Sequence, residues 1–314
     1  MQENRNIPLL TIVIPCYNQG RYLETSIRSC LNLGYSNLEI IVIDDGSTDE
    51  TAAVAASFPQ VMYHFKPNAG LPAARNTGFE LSHGDYISFL DADDWYLPDA
   101  LVTNLEILIK SPEAAFIFGS HDTLKKDGSF YRPGFHYTDR FYHHLLHTNI
   151  IGNPSTVIYR RATLEKFPFN TSALIKGCED YDHYLSIARE LPVIINPITV
   201  SIYRQHEDNM SNNYAMMLNS ALNVMLLHKP FLRNREENQA WKNGWYEWVR
   251  FYGYFPVKSN NKHRLTRAHL GLIKKYNIHL PWIIWQKIKS ILDKKQITSE
   301  TTIADTHPAG AQKA

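Results

Sequence analysis

Asp91, Asp93 and Asp94 place three carboxylates within four residues, directly after the strand-like run Ile87-Ser88-Phe89-Leu90. Acids this close repel one another unless a cation sits among them. In an extended segment residues two apart point the same way, so Asp91 and Asp93 converge and Asp94 faces opposite. Two converging oxygen donors suit Mg2+ or Mn2+, which keep waters and take further oxygens from a substrate phosphate. A solvated acidic turn before the helix near Pro98 is the plainer reading of an isolated Asp-x-Asp. Asp44-Asp45-Gly46-Ser47-Thr48-Asp49 forms a second cluster. Ser47 or Asp49 could cap the next helix, yet two acids exceed what a cap needs. A carboxylate there can accept hydrogen bonds from a base N–H or from ribose hydroxyls. A third cluster, Glu179-Asp180-Tyr181-Asp182, opens a helix-like run. Mutual repulsion there raises the pKa of one acid, as a general base requires. Stabilisation by the helix dipole explains the same acids without catalysis.

The elements that must position these groups alternate between strand and helix. Apolar, β-branched runs at 9–15, 38–44, 61–65, 85–90 and 114–120 read as strands, and helical spacing fills 20–33, 71–81 and about 97–110. Fully apolar strands in βα units predict a mostly parallel, Rossmann-like sheet covered by helices on both faces. Ligands in such sheets lie beyond the C-terminal strand ends, so Tyr17-Asn18, Asp44-Asp45 and Asp91-Ala92-Asp93 should gather at one edge. The stretch 68–78, NAGLPAARNTG, supplies Gly70 and a lone Arg75 but neither GxGxxG nor GxxxxGK[ST]. Its arginine could hold a diphosphate or fix a neighbouring aspartate. Beyond 120 the expectation is a hairpin at Asp127-Gly128, a helix near 138–148, a strand near 155–160, a helix over 179–190, and strands at 193–195 and 198–204. From about 213 the chain reads as helical, with Trp241, Trp245 and Trp248 in a packed appendage. His143 and His147 share a helix face but lack an HExxH pattern, so they read as surface or packing residues.

Four segments in order, TIVIPCYNQGRYLETSIRS, IVIDDGSTDET, NAGLPAARNTG and DYISFLDADDWYLPD, resemble the family 2 glycosyltransferases over residues 9–120. GCEDYDHYLSIARE and YRQHEDNMS, over 177–190 and 203–211, resemble that family's Glu-Asp and His-containing segments. The resemblance implies a GT-A-like fold and an inverting transfer from a nucleotide-diphosphate sugar. It implies a nucleotide site of Pro15, Tyr17, Asn18, Asp45, Arg75, Asp91 and Ala92, with Asp45 on the base and Asp91 on ribose or a metal-bound water. It further implies Asp93 as chief ligand of Mn2+ or Mg2+, His206 as a further ligand, and Asp180 of the Glu179-Asp180 pair as the base, a role Glu179 or Asp182 could exchange. The domains expected are a catalytic unit over 1–212, in halves 9–120 and 121–212, and a helical region over 213–295. Residues 296–314 are expected to be disordered.

Composition narrows the partners. The 314 residues are 44% hydrophobic and carry three cysteines without a CxxC pair, which fits a reducing cytoplasm. No signal peptide or spanning segment is visible. Residues 1–110 hold 6 Lys/Arg against 14 Asp/Glu, a poor surface for nucleic acid. Residues 255–295 hold 10 Lys/Arg against the single acid Asp293. Within them, 279–295 reads from its spacing as a basic amphipathic helix with Trp282 and Trp285 at its entry. It reads as a helix docked on the domain, or as a peripheral contact with the cytoplasmic leaflet near a lipid-linked acceptor. The acceptor is expected to be a glycan or lipid-linked hydroxyl. A sugar nucleotidyltransferase would show a Gly-rich, basic loop where Cys16-Tyr17-Asn18-Gln19-Gly20-Arg21-Tyr22 stands. A non-catalytic nucleotide-sugar-binding protein would not need both acid sets intact.

Overall fold

The computed structural model describes residues 7–254, apart from 135–137 and 139. The basic segment 279–295 and the tail 296–314 lie outside the described residues. In chain order the elements begin β1 (Leu10–Cys16), α1 (Gly20–Leu31), β2 (Leu38–Asp44), α2 (Thr51–Ala56), β3 (Met62–Phe65), α3 (Leu71–Leu81) and β4 (Tyr86–Phe89). They continue with β5 (Trp95–Tyr96), α4 (Ala100–Ile109), β6 (Phe116–Leu124), β7 (Phe130–Tyr131), α5 (Phe141–His147), β8 (Val157–Arg160) and α6 (Arg161–Lys166). The last are α7 (Glu179–Ala188), β9 (Ile194–Arg204), α8 (Tyr214–His228) and α9 (Arg235–Trp248), which runs into a π-helical segment, Val249–Tyr254.

The strands make one sheet in the order β3-β2-β1-β4-β8-β6-β9-β5, with β7 paired to β6. β3, β2, β1 and β4 run parallel, as the βα rhythm predicts. β8 then enters antiparallel between β4 and β6, while β6 and β9 are parallel to each other. The two strands expected at 193–195 and 198–204 are one continuous strand whose register against β6 shifts near Ser120. β5 and α6 are additional to the sequence expectation; β5 is only two residues long and is held by pairing with β9, a contact invisible to local pattern.

Alternation within β1 divides the core. Leu10, Ile12, Ile14 and Cys16 pack on one face with Leu23, Ile27 and Cys30 of α1 and Leu101 and Leu105 of α4. Val13 points to the other face, where Ile41, Ile43, Ile87 and Phe89 meet Ala74 of α3, Tyr181 and Leu185 of α7, and α8 and α9. The central strands β1, β2 and β4 are therefore buried on both sides, which is why they read as continuous apolar runs. Polar pins join the helices as well: Trp241 Nε1 of α9 donates to the Met225 carbonyl of α8 at 2.6 Å, and the Tyr181 hydroxyl of α7 to the Leu145 carbonyl of α5 at 2.6 Å.

Gly78 shows how closely α3 rides on the sheet. A Cβ there would collide with Val13 of β1 and lie 3.2 Å from Ile43 of β2. Gly78→Val should therefore destabilise the fold by about 1–3 kcal/mol or more through overpacking, read as a lower denaturation midpoint in urea.

Candidate active site

Four parallel strands deliver their C-terminal ends to one edge, where a cleft of about 800 Å³ opens. Pro15, Tyr17, Asp45, Arg75, Asp91, Asp93, Glu179 and Asp180 all line it, so the acid clusters at 45, 91–93 and 179–180 share one cavity.

Beyond β2 the two adjacent aspartates part company. Asp44 is structural: it accepts from Ser47 N at 2.7 Å and from the Tyr63 hydroxyl at 2.7 Å. Asp45 faces the cleft and is held by Lys66 Nζ at 2.6 Å, Ala69 N at 3.0 Å and Gly70 N at 2.8 Å. Gly70 has φ +90, a conformation costly for other residues, and it aims its N–H back at Asp45 just before α3 begins. Asn18 staples the β1 and β2 loops, its Oδ1 accepting from Thr48 N at 2.8 Å. Of the expected caps, Asp49 serves two helices, accepting from Gly20 N at 2.8 Å and Thr51 N at 3.1 Å. Ser47 Oγ instead accepts from Asn18 N. Tyr17 is 52% exposed at the mouth of the cleft.

The three acids after β4 have three environments. Asp94 points away from the cleft and is fully enclosed, accepting from Asn153 Nδ2 and Ser155 Oγ at 2.9 Å each and from Arg204 N at 3.0 Å. Burial, with repulsion from Asp93 and Asp91, raises its pKa well above the ordinary range. It fixes the loop from within. Ala92 is buried beside it, its carbonyl accepting from the Ser26 hydroxyl at 2.7 Å. Asp93 collects Gln19 Nε2 at 2.9 Å, His206 Nε2 at 2.7 Å and Asn209 Nδ2 at 3.4 Å, all on Oδ2. His206 Nδ1 accepts from Asp208 N at 3.3 Å, so its proton sits on Nε2 toward Asp93. Gln19 and Asn209 were not among the residues expected from sequence; both stand within three positions of an expected one, which was the only available signal.

Asp91 meets the cation that the acid cluster requires. Arg75 is 1% exposed and donates Nη2 to Asp91 Oδ1 at 2.9 Å and Nη1 to Glu179 Oε1 at 3.3 Å. Its guanidinium also lies 5.4 Å from the Phe169 ring centre. Asn76 fixes Phe169 by a pair of 2.9 Å bonds to its backbone N–H and carbonyl. Burial opposes the charge of Arg75, but Asp91 and Glu179 outweigh it and raise the pKa above the usual value.

Glu179 is further held by Gly177 N at 2.7 Å, from a glycine with φ +83. Asp180, one residue on, takes a long bond from Asn149 Nδ2 at 3.5 Å and a backbone hydrogen bond from Tyr181. Burial, then the Glu179 charge, push its pKa up to about 7. Asp182 turns away, accepting from His228 Nε2 at 2.9 Å and Asn170 Nδ2 at 3.1 Å, so it is not placed with the cleft acids. His143 lies against Arg140 at 3.1 Å, on the surface.

A divalent ion fits the donor set at Asp91 and Asp93. Among the described residues no group of three His, Cys, Asp or Glu forms an all-protein cage. Mg2+ and Mn2+ need none, because one or two carboxylates suffice when phosphate and water complete the shell. Asp93 Oδ1 and Asp91 Oδ2 take part in none of the hydrogen bonds above, leaving hard oxygens available.

Residues 11–168 match the family model described as "Glycosyl transferase family 2". The chain belongs to that family. A glycosyltransferase of Haemophilus influenzae described as uncharacterised is 43% identical over 111 residues, spanning 34% of this chain and 44% of its own. One from Rickettsia prowazekii is 32% identical over 236 residues, 72% of this chain and 70% of that one. The chondroitin synthase of Pasteurella multocida is 32% identical over 186 residues, 58% of this chain but 19% of the synthase. The glycosyltransferase thus spans under half of the first relative and about a fifth of the synthase. Among solved structures, S. aureus TarS 1-349 in complex with UDP-GlcNAc superposes with a TM-score of 0.63 at 15% identity, over 81% of this chain and 76% of that one. A mannosyltransferase of Pyrobaculum calidifontis, in complex with GDP-Man and Mn2+, gives 0.58 at 14% identity, over 93% and 87%. The fold is GT-A-like.

Arg75→Ala should strand Asp91 and Glu179 as unpaired, largely buried charges. The expected loss is about 3–5 kcal/mol of stability at neutral pH, measured by chemical denaturation.

Proposed function

We propose that this glycosyltransferase carries out an inverting, metal-assisted transfer from a UDP-sugar to a hydroxyl of a glycan or lipid-linked acceptor in cell-surface polysaccharide biosynthesis. The observation that carries the reading is the single cleft that unites Asp45, Asp91 and Asp93 with Asp180. Three donors already occupy Asp45, and a carboxylate offers about four lone-pair sites. One site remains, enough for the single imide N–H of uracil and short of the two donors that guanine would present. A chondroitin synthase among the relatives and a structural neighbour in complex with UDP-GlcNAc support the same donor and a polymeric acceptor.

In this reading Pro15 and Tyr17 flank the base, and Asp91, oriented by Arg75, binds ribose or a metal-bound water. Asp93, with His206 beside it, would hold the divalent ion. That ion, when bound, neutralises charge on the departing diphosphate. Asp180 takes the proton of the acceptor hydroxyl as the new C–O bond forms opposite the breaking bond to phosphate. Glu179 is committed to Arg75 and Gly177, which leaves Asp180 as the carboxylate free to accept that proton. The protein organises as the catalytic unit 1–212 with a helical region from 213. A reducing cytoplasm suits its three buried free cysteines. Among the described residues no helix is long and apolar enough to cross a membrane.

A base must be ionised to act, and the Asp180 pKa is raised to about 7, so activity is present above that pH and lost below it. The acidic limb of kcat/KM should fall about tenfold per pH unit below about 7. Asp180→Asn should bind donor in a thermal-shift assay yet lose transfer by about 100-fold or more; full activity in that variant would refute the assignment. Asp93→Ala should abolish the Mn2+ or Mg2+ dependence of UDP-sugar hydrolysis along with most of the rate. Unchanged metal response would place the ion elsewhere.

A further inference from the structure

One wall of the cleft plays no part in the donor chemistry. Trp248 at the end of α9, with Phe251 and Tyr252 of the π-helical segment, lines the same cavity as Asp180 and Tyr181. π-helical turns are rare and concentrate at functional sites. The rings are built into a layer. Trp248 and Tyr252 lie parallel, 9° apart with centres at 5.7 Å, and Tyr181 backs Trp248 at 5.2 Å. Phe251 meets Tyr252 edge-on at 4.9 Å and stays 55% exposed. Burial first, then the nearby Cys178 and Asp180, raise the pKa of the Tyr252 phenol.

A large aromatic left open inside a cleft marks a surface shaped for a ligand. The rim decides which kind. Asn149, Ser211 and Glu247 line the same cavity, with Lys176 and Arg250, so polar donors and acceptors share it with the aromatic layer. A pyranose matches that pattern. Its axial C–H face carries slight positive charge and packs on the electron-rich ring face, while its equatorial hydroxyls reach the polar rim. Asn149, Ser211 and Glu247 already pair within the protein, with Asp180, Tyr203 and Arg250, and a polyprenyl chain would strip water from them without offering a hydrogen bond in return, at a cost.

We propose that Trp248, Phe251 and Tyr252 form the acceptor subsite, stacking a pyranose ring so that one of its hydroxyls meets Asp180. The inference rests on Asp180 being the base, and it makes the acceptor end in a sugar ring rather than in lipid.

Saturation-transfer NMR on the full chain with UDP and diamagnetic Mg2+ tests it. The probes are methyl glucoside, methyl galactoside, methyl N-acetylglucosaminide, the disaccharide cellobiose and, as lipid counterpart, decyl phosphate. At least one saccharide should receive saturation on its ring C–H protons, and the signal should drop at least fivefold in Phe251→Ala. Phe251 is exposed, so that variant should fold; Trp248→Leu provides a second reading, and UDP signals serve as the internal reference. Saccharide signals equal to wild type in both variants would overturn the subsite, as would saturation of decyl phosphate alone. UDP bound without any saccharide signal would also overturn it while leaving the donor site standing. A chain that bound no UDP would sink the donor reading itself.

Discussion

The site depends on one buried cation. Arg75 joins Asp91 after β4 to Glu179 at the start of α7, two segments 88 positions apart in sequence, by bonds of 2.9 and 3.3 Å. Without it, the donor-side and acceptor-side halves of the cleft would each carry an unpaired acid in a low-dielectric setting. With it, the carboxylates of Asp91 and Glu179 are fixed, while Asp93 is held separately by Gln19, His206 and Asn209 and Asp180 lines the cleft beside them. The α3 backbone makes this arrangement rigid, because Gly78 lets the helix lie directly on β1 and Asn76 clamps Phe169 against the guanidinium.

A division of labour within each acid cluster follows. Asp44 and Asp94 are consumed by the fold, each taking hydrogen bonds from its own side of the sheet edge. Asp45, Asp91 and Asp93 face the cavity. Asp182 belongs to the packing of α7 on α8, through His228. In each run of acids, therefore, one member holds the loop that presents the others. Asp180 departs from this pattern, since its neighbour Glu179 takes Arg75 and leaves it with a raised pKa near neutrality. Poor solvation of a carboxylate is destabilising in itself, and it is also what makes a carboxylate a competent base.

Much of this was legible locally. Fully apolar runs such as Leu10–Cys16 announced strands buried on two faces, and the polar residues right after them marked the strand ends where a ligand would sit. The hairpin at Asp127-Gly128 followed from turn chemistry, and Gly128 has φ +82. The elements that escaped were those stabilised only at long range. β5 exists because β9 pairs with it, β9 is a single strand because β6 templates it through a register shift, and Gln19 and Asn209 reach Asp93 only in the folded chain.

The family was legible as a resemblance carried by whole segments, and residue type and spacing by themselves determined a mostly parallel α/β sheet with acidic strand ends. They could not rank acids within a run, because adjacent aspartates are chemically identical until burial, hydrogen bonds and a partner cation distinguish them. Tertiary structure made that ranking, turning Asp94 inward to Asn153 and Ser155, pairing Asp91 with Arg75 and leaving Asp180 with little solvation. It also set Trp248, Phe251 and Tyr252 opposite those acids. The reason is physical: a side chain's charge state and reach depend on what surrounds it, and those surroundings come from segments far away along the chain.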